Sequence, residues 1–242
     1  MQAVILAAGK GSRLNPITLR RSKAMVPILG RPIVERVMET LAQNGIRRFI
    51  MVISRQDSEV GQYFREETTL KADIRFVIQP ERLGMANALQ HIAPYIRGPF
   101  ILSACDNLTS PEHVAALIAA HRERKANATL SLMKIDPALA GRTGIVDMHN
   151  GCIRRIVEKP APGDAPSNIA SLPLYVFSPR LLAYLPEVNP SPRGEYELQD
   201  AIQMLIERDG GVTGLLTPTR LQLTNAADLL ALNRHYLTTG GD

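Results

Sequence analysis

The stretch AVILAAGKGSRLNP, residues 3–16, runs from an apolar segment directly into a loop that holds two glycines and basic side chains. Its apolar part is typical of a strand that is covered on both faces of a parallel sheet. In such a sheet, ligands bind outside the carboxyl ends of the strands. Gly9 and Gly11 would let backbone N–H groups approach an anion closely, and Arg13 and Lys23 bring positive charge to the same edge. The stretch therefore predicts an α/β fold with an anion site after its first strand.

The following residues alternate short apolar runs with amphipathic stretches. Four further strands are predicted at residues 49–53, 74–78, 100–104 and 129–135. One helix is predicted to begin with Pro32 at its first helical position and to end at Gly45, and Ser110 with Pro111 opens another. Strand–helix–strand passages of this length form right-handed βαβ units. We therefore expect a mainly parallel, mixed central sheet with helices on both faces.

The pattern changes after Arg142. GIVDMHNGCIRRIVEKP, residues 144–160, predicts an antiparallel pair of strands that turns at Asn150 and Gly151. A proline-rich loop, a strand and two helices are predicted after it at residues 161–166, 171–177, 197–208 and 226–236. No internal repeat or linker interrupts the chain, so a single domain over residues 1–242 is predicted, with a mainly parallel first half and a mixed second half.

Composition narrows the class of protein. With 45% apolar and 21% charged residues, the 242-residue chain resembles ordinary globular proteins, and no run approaches the roughly 18 apolar residues of a membrane span. The apolar residues 3–8 follow no basic segment and end at glycines, so a signal peptide is not expected and the cytoplasm is the expected compartment. Cys105 and Cys152 are too few for a disulfide framework or a zinc site.

The net charge of +5 is distributed in scattered basic pairs, and aromatic residues make up only 5% of the chain. Proteins that bind nucleic acids more often combine a dense basic stripe with interleaved aromatic side chains. Small anionic substrates fit the charge equally well, and most of these basic residues are expected to be solvated surface charge.

Residues 6–35, LAAGKGSRLNPITLRRSKAMVPILGRPIVE, resemble the signature of the sugar-1-phosphate nucleotidylyltransferase family, which combines G-x-G-x-R-L, a downstream P-K and a G-[KR]-P-[IL] helix start. Ser22-Lys23 stands in the place of P-K. The motifs QPERLGMANAL, CDN, VEKP and EYELQD follow in the family's order, so the resemblance covers nearly all of the chain. It implies a Rossmann-like nucleotide-diphospho-sugar transferase fold. It also implies transfer of a nucleotidyl group from a nucleoside triphosphate to a sugar 1-phosphate, with release of pyrophosphate.

The resemblance assigns roles on the nucleotide and phosphate side. Arg13 would hold the departing end of the triphosphate, Lys23 the phosphates around the reacting centre, and Lys159 the sugar phosphate. The residues implied to bind the nucleotide are Leu6, Ala8, Gly9, Gly11, Gln79 and Gly84. Gln79 would both donate to and accept from the edge of thymine or uracil, which favours dTTP or UTP over GTP.

The remaining roles concern the sugar and the metal ion. Gly144, Glu158 and Asn168 would line the sugar pocket, with Glu158 accepting hydrogen bonds from sugar hydroxyls. Asp106 and Asp200 would bind Mg²⁺, which takes hard oxygen ligands and neutralises phosphate charge. The attacking phosphate oxygen is already anionic, so the reaction needs no side-chain nucleophile.

The chain departs from the family pattern in two places. Pro173 stands where thymidylyl-type relatives have glycine, and proline cannot donate a backbone hydrogen bond. TPTRLQLTNAADLLALN, residues 217–233, replaces the W-L-D-x-G motif and is closer to the T-P-x-D-L-L-x-x-N ending of other branches. No left-handed β-helix repeat follows, so no acetyltransferase is expected. Glucose 1-phosphate is the favoured acceptor, and the identity of the sugar stays open.

Each of these residues also has a purely structural interpretation. Asp106 could form a turn, Asp200 could stabilise the first turn of a helix, Gln79 could lie on an edge strand, and Glu158 with Lys159 could close a hairpin at the surface. Two other functions stay open: nucleotidyl transfer to mannose, amino-sugar or non-sugar alcohol phosphates, and a catalytically silent subunit that binds nucleotide sugars. Family members often assemble symmetrically, so a homo-oligomer is compatible with the resemblance.

Overall fold

The structure, a computed structural model, describes residues 1–238, and the last residues of the predicted domain, 239–242, lie outside the described part. The strands are β1 (Gln2–Leu6), β2 (Pro27–Ile28), β3 (Arg31–Pro32), β4 (Arg48–Ser54), β5 (Asp73–Gln79), β6 (Phe100–Ala104), β7 (Asn107–Leu108), β8 (Ala128–Lys134), β9 (Gly144–His149), β10 (Cys152–Glu158), β11 (Ile169–Phe177), β12 (Val212–Leu216) and β13 (Leu221–Gln222). The helices are α1 (Ile33–Gln43), α2 (Ser58–Glu66), α3 (Met85–Ile92), α4 (Pro111–Glu123), α5 (Leu198–Arg208) and α6 (Ala226–Thr238). Among the helices of residues 1–238, none combines the length and the apolar character needed to cross a membrane.

Nine strands form the central sheet in the order β5-β4-β1-β6-β11-β8-β12-β10-β9. The first four are parallel, as expected for the first half of the chain. Within residues 1–238, the only other parallel pair in this sheet is β8 with β12, because β11 runs antiparallel between β6 and β8 and the β9–β10 hairpin pairs antiparallel. The sheet is therefore parallel in its first half and mixed in its second half, as predicted.

The second half of the sheet closes on itself. Ala170 of β11 pairs with Ile145 of β9, so β11, β8, β12, β10 and β9 form a ring of paired strands. The register between β11 and β8 shifts between Ser171 and Tyr175. Pro173 lies inside this irregularity, where a residue without an N–H group costs no ladder hydrogen bond.

The helices lie on both faces of the sheet, which confirms that prediction. Ala3 and Ile5 of β1 face the apolar core that α1, α2, α4 and α6 cover, whereas Val4 faces the core that α3 and α5 cover. All three side chains are buried. This alternation explains why the first strand is apolar at every position, since both of its faces are covered.

Several predicted boundaries are confirmed, and one was wrong. Ser110 caps α4 by accepting from the His113 N–H at 3.2 Å, and the hairpin turns at Asn150 and Gly151 with φ of +50° and +76°, as a two-residue turn requires. Pro32 precedes α1 instead of occupying its first helical position, because it belongs to β3, which pairs with β2. The elements α2, α3, β2, β3, β7, β12 and β13 were not predicted.

Candidate active site

The parallel strands β1, β4, β5 and β6 deliver their following loops to one edge of the sheet. β11 runs antiparallel to β6, and Leu174 pairs with Ser103 near the end of β6. Residues 169–173 of β11 therefore project beyond the same edge and reach β9. Consequently, the loops after the parallel strands and the start of β11 border a common region, which is where ligands bind in open α/β sheets.

The first loop is shaped by Gly11. Its φ is +65°, and a Cβ atom there would lie 2.9 Å from Cβ of Lys23, so only glycine fits without displacing the lysine. The Thr18 hydroxyl donates to the Gly11 carbonyl oxygen at 2.8 Å and fixes the turn. Arg13 is exposed directly after it, and a Cβ on Gly9 would have nothing within 4 Å. The loop is therefore tightly packed on the Lys23 side and open at Gly9.

Lys23 and Asp106 form an ion pair at this edge. The Lys23 Nζ atom donates to Asp106 Oδ2, and the two side chains are 19% and 15% exposed. Asp106 follows β6 through Cys105, whose N–H donates to the Leu6 carbonyl oxygen at 3.1 Å, so the loops after β1 and β6 are joined. Because its side chain binds Lys23, Asp106 does more than form a turn. Burial raises the pKa of the Cys105 thiol to about 12, which keeps it neutral and excludes it as a nucleophile.

Gln79 ends β5 with its side chain buried, 3% exposed. Its Nε2 atom donates to the Gly84 carbonyl oxygen at 3.1 Å and to Asn87 Oδ1 at 2.9 Å. The Gly84 carbonyl can only accept, so the nitrogen has to face it. Both amide hydrogens are thus used within the protein. The contact of Gln79 with a base stays a prediction, and Oε1 makes no hydrogen bond to any residue of the described range 1–238.

Gly84 starts α3 against the chain segment EYELQD. Its φ is +98°, and a Cβ atom there would lie 2.6 Å from the backbone oxygen of Tyr196. The Tyr196 N–H donates to the Leu83 carbonyl oxygen at 2.8 Å, and the Tyr196 carbonyl oxygen accepts from the Ala86 N–H at 3.1 Å. Ala8 lies in the same apolar core as Ala86. The Gln79–Gly84 loop is therefore positioned by residues more than a hundred positions later in the chain.

A second group of charged side chains surrounds Glu158. Glu158 ends β10 opposite Gly144 of β9, with Lys159 Nζ at 3.6 Å and Arg193 Nη2 at 3.8 Å from its Oε1 atom. Burial, followed by the charge of Glu197, raises the pKa of Glu158 to about 7. A Cβ on Gly144 would lie 3.1 Å from Glu158 Oε2, so the glycine makes room for this carboxylate. Arg193 was missed, although it precedes EYELQD by only two residues.

Of the two other predicted residues, Asp200 lies near Glu158. The Asn168 side chain makes no hydrogen bond to the Glu158 group within residues 1–238. Asp200 is in the first turn of α5; burial and then Glu197 raise its pKa, and its own charge contributes to raising the pKa of Glu158. The Asn168 side chain is exposed, and its backbone oxygen accepts from the Ile135 N–H at 2.9 Å. In the described part of the chain, no hydrogen bond links the Asn168 side chain to Gly144 or Glu158.

The sequence analysis also missed two residues near these groups, Tyr175 and Arg220. Tyr175 of β11 is buried, and its hydroxyl is 2.9 Å from Ser171 Oγ. Burial raises the pKa of Tyr175, and the charges of Glu158 and Arg220 act on that pKa in opposite directions. Arg220 is in turn within range of the Asp106 charge. The predicted residues thus form two groups, around Lys23–Asp106 and around Glu158, with Arg220 in electrostatic range of Asp106 and Tyr175 in electrostatic range of Glu158.

The donor set at this edge suits a hydrated cation shared with phosphates. Within residues 1–238, no group of three or more His, Cys, Asp and Glu side chains is arranged to hold a metal ion. Mg²⁺ usually keeps several waters and binds one or two carboxylates together with substrate phosphates. Asp106 fits this requirement, because Oδ2 binds Lys23 whereas Oδ1 makes no hydrogen bond to any described residue. Asp200 is grouped with Glu158 and Glu197, and no ion pair or hydrogen bond in residues 1–238 joins it to Asp106.

Comparison with known proteins places these residues in context. A family model described as nucleotidyl transferase matches residues 2–218. The chain is similar to UTP–glucose-1-phosphate uridylyltransferase AglF of Haloferax volcanii, with 33% identity over 207 residues that cover 85% of this chain and 84% of the relative. It is also similar to the bifunctional protein GlmU of Methanococcus maripaludis, with 30% identity over 239 residues. That match covers 98% of this chain and 54% of GlmU, so the chain spans about half of that relative.

Solved structures show the same architecture. A UDP-glucose pyrophosphorylase crystallised with UDP-glucose superposes with a TM-score of 0.88 and covers 98% of both chains, at 21% sequence identity. At this level of identity, the likeness concerns the fold alone. The mixed α/β sheet with its closed second half is therefore an arrangement that this pyrophosphorylase shares.

Proposed function

The chain belongs to the nucleotidyl transferase family, and on this premise we propose that it transfers a nucleotidyl group from UTP or dTTP to a sugar 1-phosphate, with glucose 1-phosphate favoured. The products would be a nucleoside diphosphate sugar and pyrophosphate. The observation that carries this proposal is the Lys23–Asp106 ion pair at the carboxyl edge of the parallel strands, next to the glycine loop. The proposed fold class is the Rossmann-like nucleotide-diphospho-sugar transferase fold.

The reaction requires positioning more than covalent chemistry. An oxygen of the sugar phosphate attacks the α-phosphorus of the triphosphate, a new P–O bond forms, and the bond from the α-phosphorus to the bridging oxygen breaks as pyrophosphate leaves. The nucleophile is anionic from the start, so the protein has to align two polyanions and offset their repulsion. Cationic side chains at the sheet edge and a neutral Cys105 thiol agree with this requirement.

Three cationic side chains would each bind a different part of the substrates' phosphate groups. Arg13 would hold the departing end of the triphosphate, since it is exposed in the turn directly after Gly11. Lys23 would contact the phosphates around the reacting centre. Lys159 would hold the sugar phosphate; its backbone has a φ of +44° and its N–H donates to the Thr143 carbonyl oxygen at 3.1 Å, which fixes the position from which the side chain starts.

The nucleotide would lie along the first loop, with its base at the end of β5. Leu6, Ala8, Gly9 and Gly11 would border the phosphates and the sugar of the nucleotide. The free acceptor on Gln79, Oε1, would accept from N3–H of uracil or thymine, whereas N3 of cytosine carries no hydrogen. The name of the Haloferax volcanii relative favours UTP and glucose 1-phosphate among these substrates.

The acceptor sugar would bind beside Glu158, and the metal ion would bind at Asp106, next to the triphosphate. Glu158 would accept hydrogen bonds from sugar hydroxyls, and Gly144 and Asn168 would line the sugar pocket. We propose Asp106 as a ligand of Mg²⁺, with Asp200 as the second predicted ligand. When bound, Mg²⁺ neutralises phosphate charge and polarises phosphoryl oxygens.

The proposal is tested with purified protein, Mg²⁺ and a matrix of triphosphates against sugar 1-phosphates, with pyrophosphate release as the readout. We expect UTP or dTTP with glucose 1-phosphate to turn over fastest. Fastest turnover with a mannose, amino-sugar or non-sugar alcohol phosphate would replace glucose 1-phosphate as the acceptor and leave the reaction class intact. Binding of nucleotide sugars without turnover of any pair would contradict catalysis and favour a silent binding subunit.

The cellular setting and the assembly stay predictions. We expect the reaction to take place in the cytoplasm, without nucleic acid as a partner. A homo-oligomer is compatible with the family, and light scattering of the purified protein after size-exclusion chromatography measures its mass directly.

A further inference from the structure

Residues close to the end of the sequence bring a guanidinium group to Asp106. β13 pairs antiparallel with β7, with Leu221 opposite Leu108. β7 begins directly after Asp106, so this short pairing anchors the later segment beside the proposed phosphate site. Arg220 precedes β13, and its Nε atom donates to Asn107 Oδ1 at 3.2 Å. The W-L-D-x-G motif is missing from this region, and the segment that replaces it places a cation here.

Among residues 1–238, no carboxylate lies within ion-pair distance of the Arg220 guanidinium, and Asn107 Oδ1 is its single hydrogen-bond partner. Burial lowers the pKa of Arg220, whereas the charge of Asp106 opposes that shift. Arg220 is partly buried, and a cation withdrawn from water is stabilised by a paired anion or by several hydrogen bonds. The terminal N–H groups of Arg220 are therefore available to an anionic ligand.

The position of Arg220 indicates which anion it can reach. On one side, it is in electrostatic range of Asp106, whose carboxylate holds Lys23. On the other side, it is in range of Tyr175, which also responds to the charge of Glu158. Its hydrogen bond to Asn107, the residue directly after Asp106, places the guanidinium beside the proposed phosphate site.

We propose that Arg220 is a phosphate-binding residue of this site and that it contacts the phosphate of the acceptor sugar 1-phosphate, which becomes part of the diphosphate in the product. The assignment rests on the proposed function for the identity of that phosphate. A guanidinium offers parallel N–H donors that match two phosphate oxygens at once, which an ammonium group cannot do. Arg220 would hold the acceptor phosphate against the α-phosphorus together with Lys159.

The test compares Arg220→Met and Arg220→Lys with the wild-type enzyme in steady-state kinetics for both substrates. For Arg220→Met we expect the KM for glucose 1-phosphate to rise about tenfold or more, with a change of no more than about threefold in the KM for the triphosphate. Arg220→Lys should fall between the wild type and Arg220→Met. Arg180→Met is the matched control, because Arg180 is a surface arginine paired with Asp209 and far from these residues in sequence.

A wild-type KM for glucose 1-phosphate in Arg220→Met would overturn the assignment while leaving the proposed function intact. If Arg220→Met does not fold, Arg220→Lys is used in its place. A raised KM for glucose 1-phosphate in Arg220→Lys then supports the assignment, and a KM equal to that of the wild type overturns it. If the wild type turns over no substrate pair, the proposed function fails. The role of Arg220 is then tested by measuring UDP-glucose binding to the wild type and to Arg220→Met by calorimetry. About tenfold weaker UDP-glucose binding by Arg220→Met then supports a phosphate site, and equal or undetectable binding by wild type and variant contradicts it.

Discussion

The Lys23 ammonium group is paired with the Asp106 carboxylate across 83 positions of the chain. Parallel pairing of β1 with β6 brings the two loops together, and the hydrogen bond from Cys105 to Leu6 joins them. The pair keeps a cation and an anionic oxygen at the edge of the sheet, where a triphosphate and Mg²⁺ would need them. The proposed catalysis therefore depends on the Lys23–Asp106 pair.

Removing the charge of Asp106 should stop turnover without unfolding the protein. We expect Asp106→Asn to lower kcat roughly 10²–10³-fold, as is typical when a preorganised electrostatic group is deleted. Steady-state pyrophosphate release measures the effect, and circular dichroism checks the fold. Asp73→Asn, at the opposite end of the parallel strands, is the control and should keep the wild-type rate. Near-normal turnover of Asp106→Asn would exclude Asp106 from the site.

The role of Lys159 can be tested against Lys125, a lysine with a similar backbone conformation. We expect Lys159→Ala to lower kcat roughly 10²–10³-fold, because a cation on the sugar phosphate would be lost. Lys125 has a similar left-handed conformation, with φ of +48° against +44° for Lys159, and it is exposed at the end of α4. Lys125→Ala should therefore share any backbone effect and keep full activity. Equal rates for the two variants would remove Lys159 from the proposed mechanism.

The pKa of Glu158 predicts a specific dependence of stability on pH. Burial raises this pKa from 4.5 to about 7, so between these values the folded protein retains a proton that the unfolded chain releases. The contribution of Glu158 to the free energy of unfolding should then decrease as pH rises through this window, by at most about 1.4 kcal/mol per pH unit. Glu158→Gln removes that contribution.

Urea unfolding of both proteins at several pH values between 4.5 and 8 measures this difference. We expect the variant to gain stability relative to the wild type as pH rises, with little further change above about pH 7. Parallel stability curves for the two proteins would show that Glu158 titrates normally.

Gly84 should be intolerant of any side chain. Alanine at a left-handed position costs roughly 1–2 kcal/mol on conformational grounds, and at Gly84 its Cβ would also lie 2.6 Å from the Tyr196 carbonyl oxygen. Gly163 has a similar φ of +89° but open space around its Cβ position. Urea unfolding should therefore show a larger loss of stability for Gly84→Ala than for Gly163→Ala. Equal losses would mean that the contact between Gly84 and Tyr196 does not constrain the loop.

Secondary-structure elements were predicted correctly where a short stretch of sequence carries a recognisable pattern, such as an apolar run or a turn dipeptide. The buried strands β1, β4, β5 and β6 carry continuous apolar runs, and the hairpin turn carries Asn150-Gly151. In contrast, α2 buries only Val60, Gly61 and Phe64 among its residues, and so few large apolar side chains did not mark it as a helix in the sequence. The pairs β2–β3 and β7–β13 are two residues long in each strand, so neither has a local pattern of its own.

In the candidate site too, residues within sequence motifs were predicted, and contacts between distant segments were not. Lys23, Asp106, Glu158 and Lys159 were identified because family motifs mark them, and the structure brings them together in pairs. Residue type did not reveal that the Gln79 amide is already bound to Gly84 and Asn87, because that depends on how the loop folds. Arg220 was missed because its link to Asn107 spans 113 positions and depends on the β7–β13 pairing.

If one cleft aligns a sugar phosphate with the α-phosphorus of a nucleoside triphosphate, the transfer can be followed in a single turnover. Excess enzyme is mixed with UTP labelled at the α-phosphate, glucose 1-phosphate and Mg²⁺, and the labelled products are separated by chromatography. We expect the label to pass into UDP-glucose as one equivalent of pyrophosphate appears. A label that stays in UTP, or that appears in UMP through hydrolysis, would contradict it.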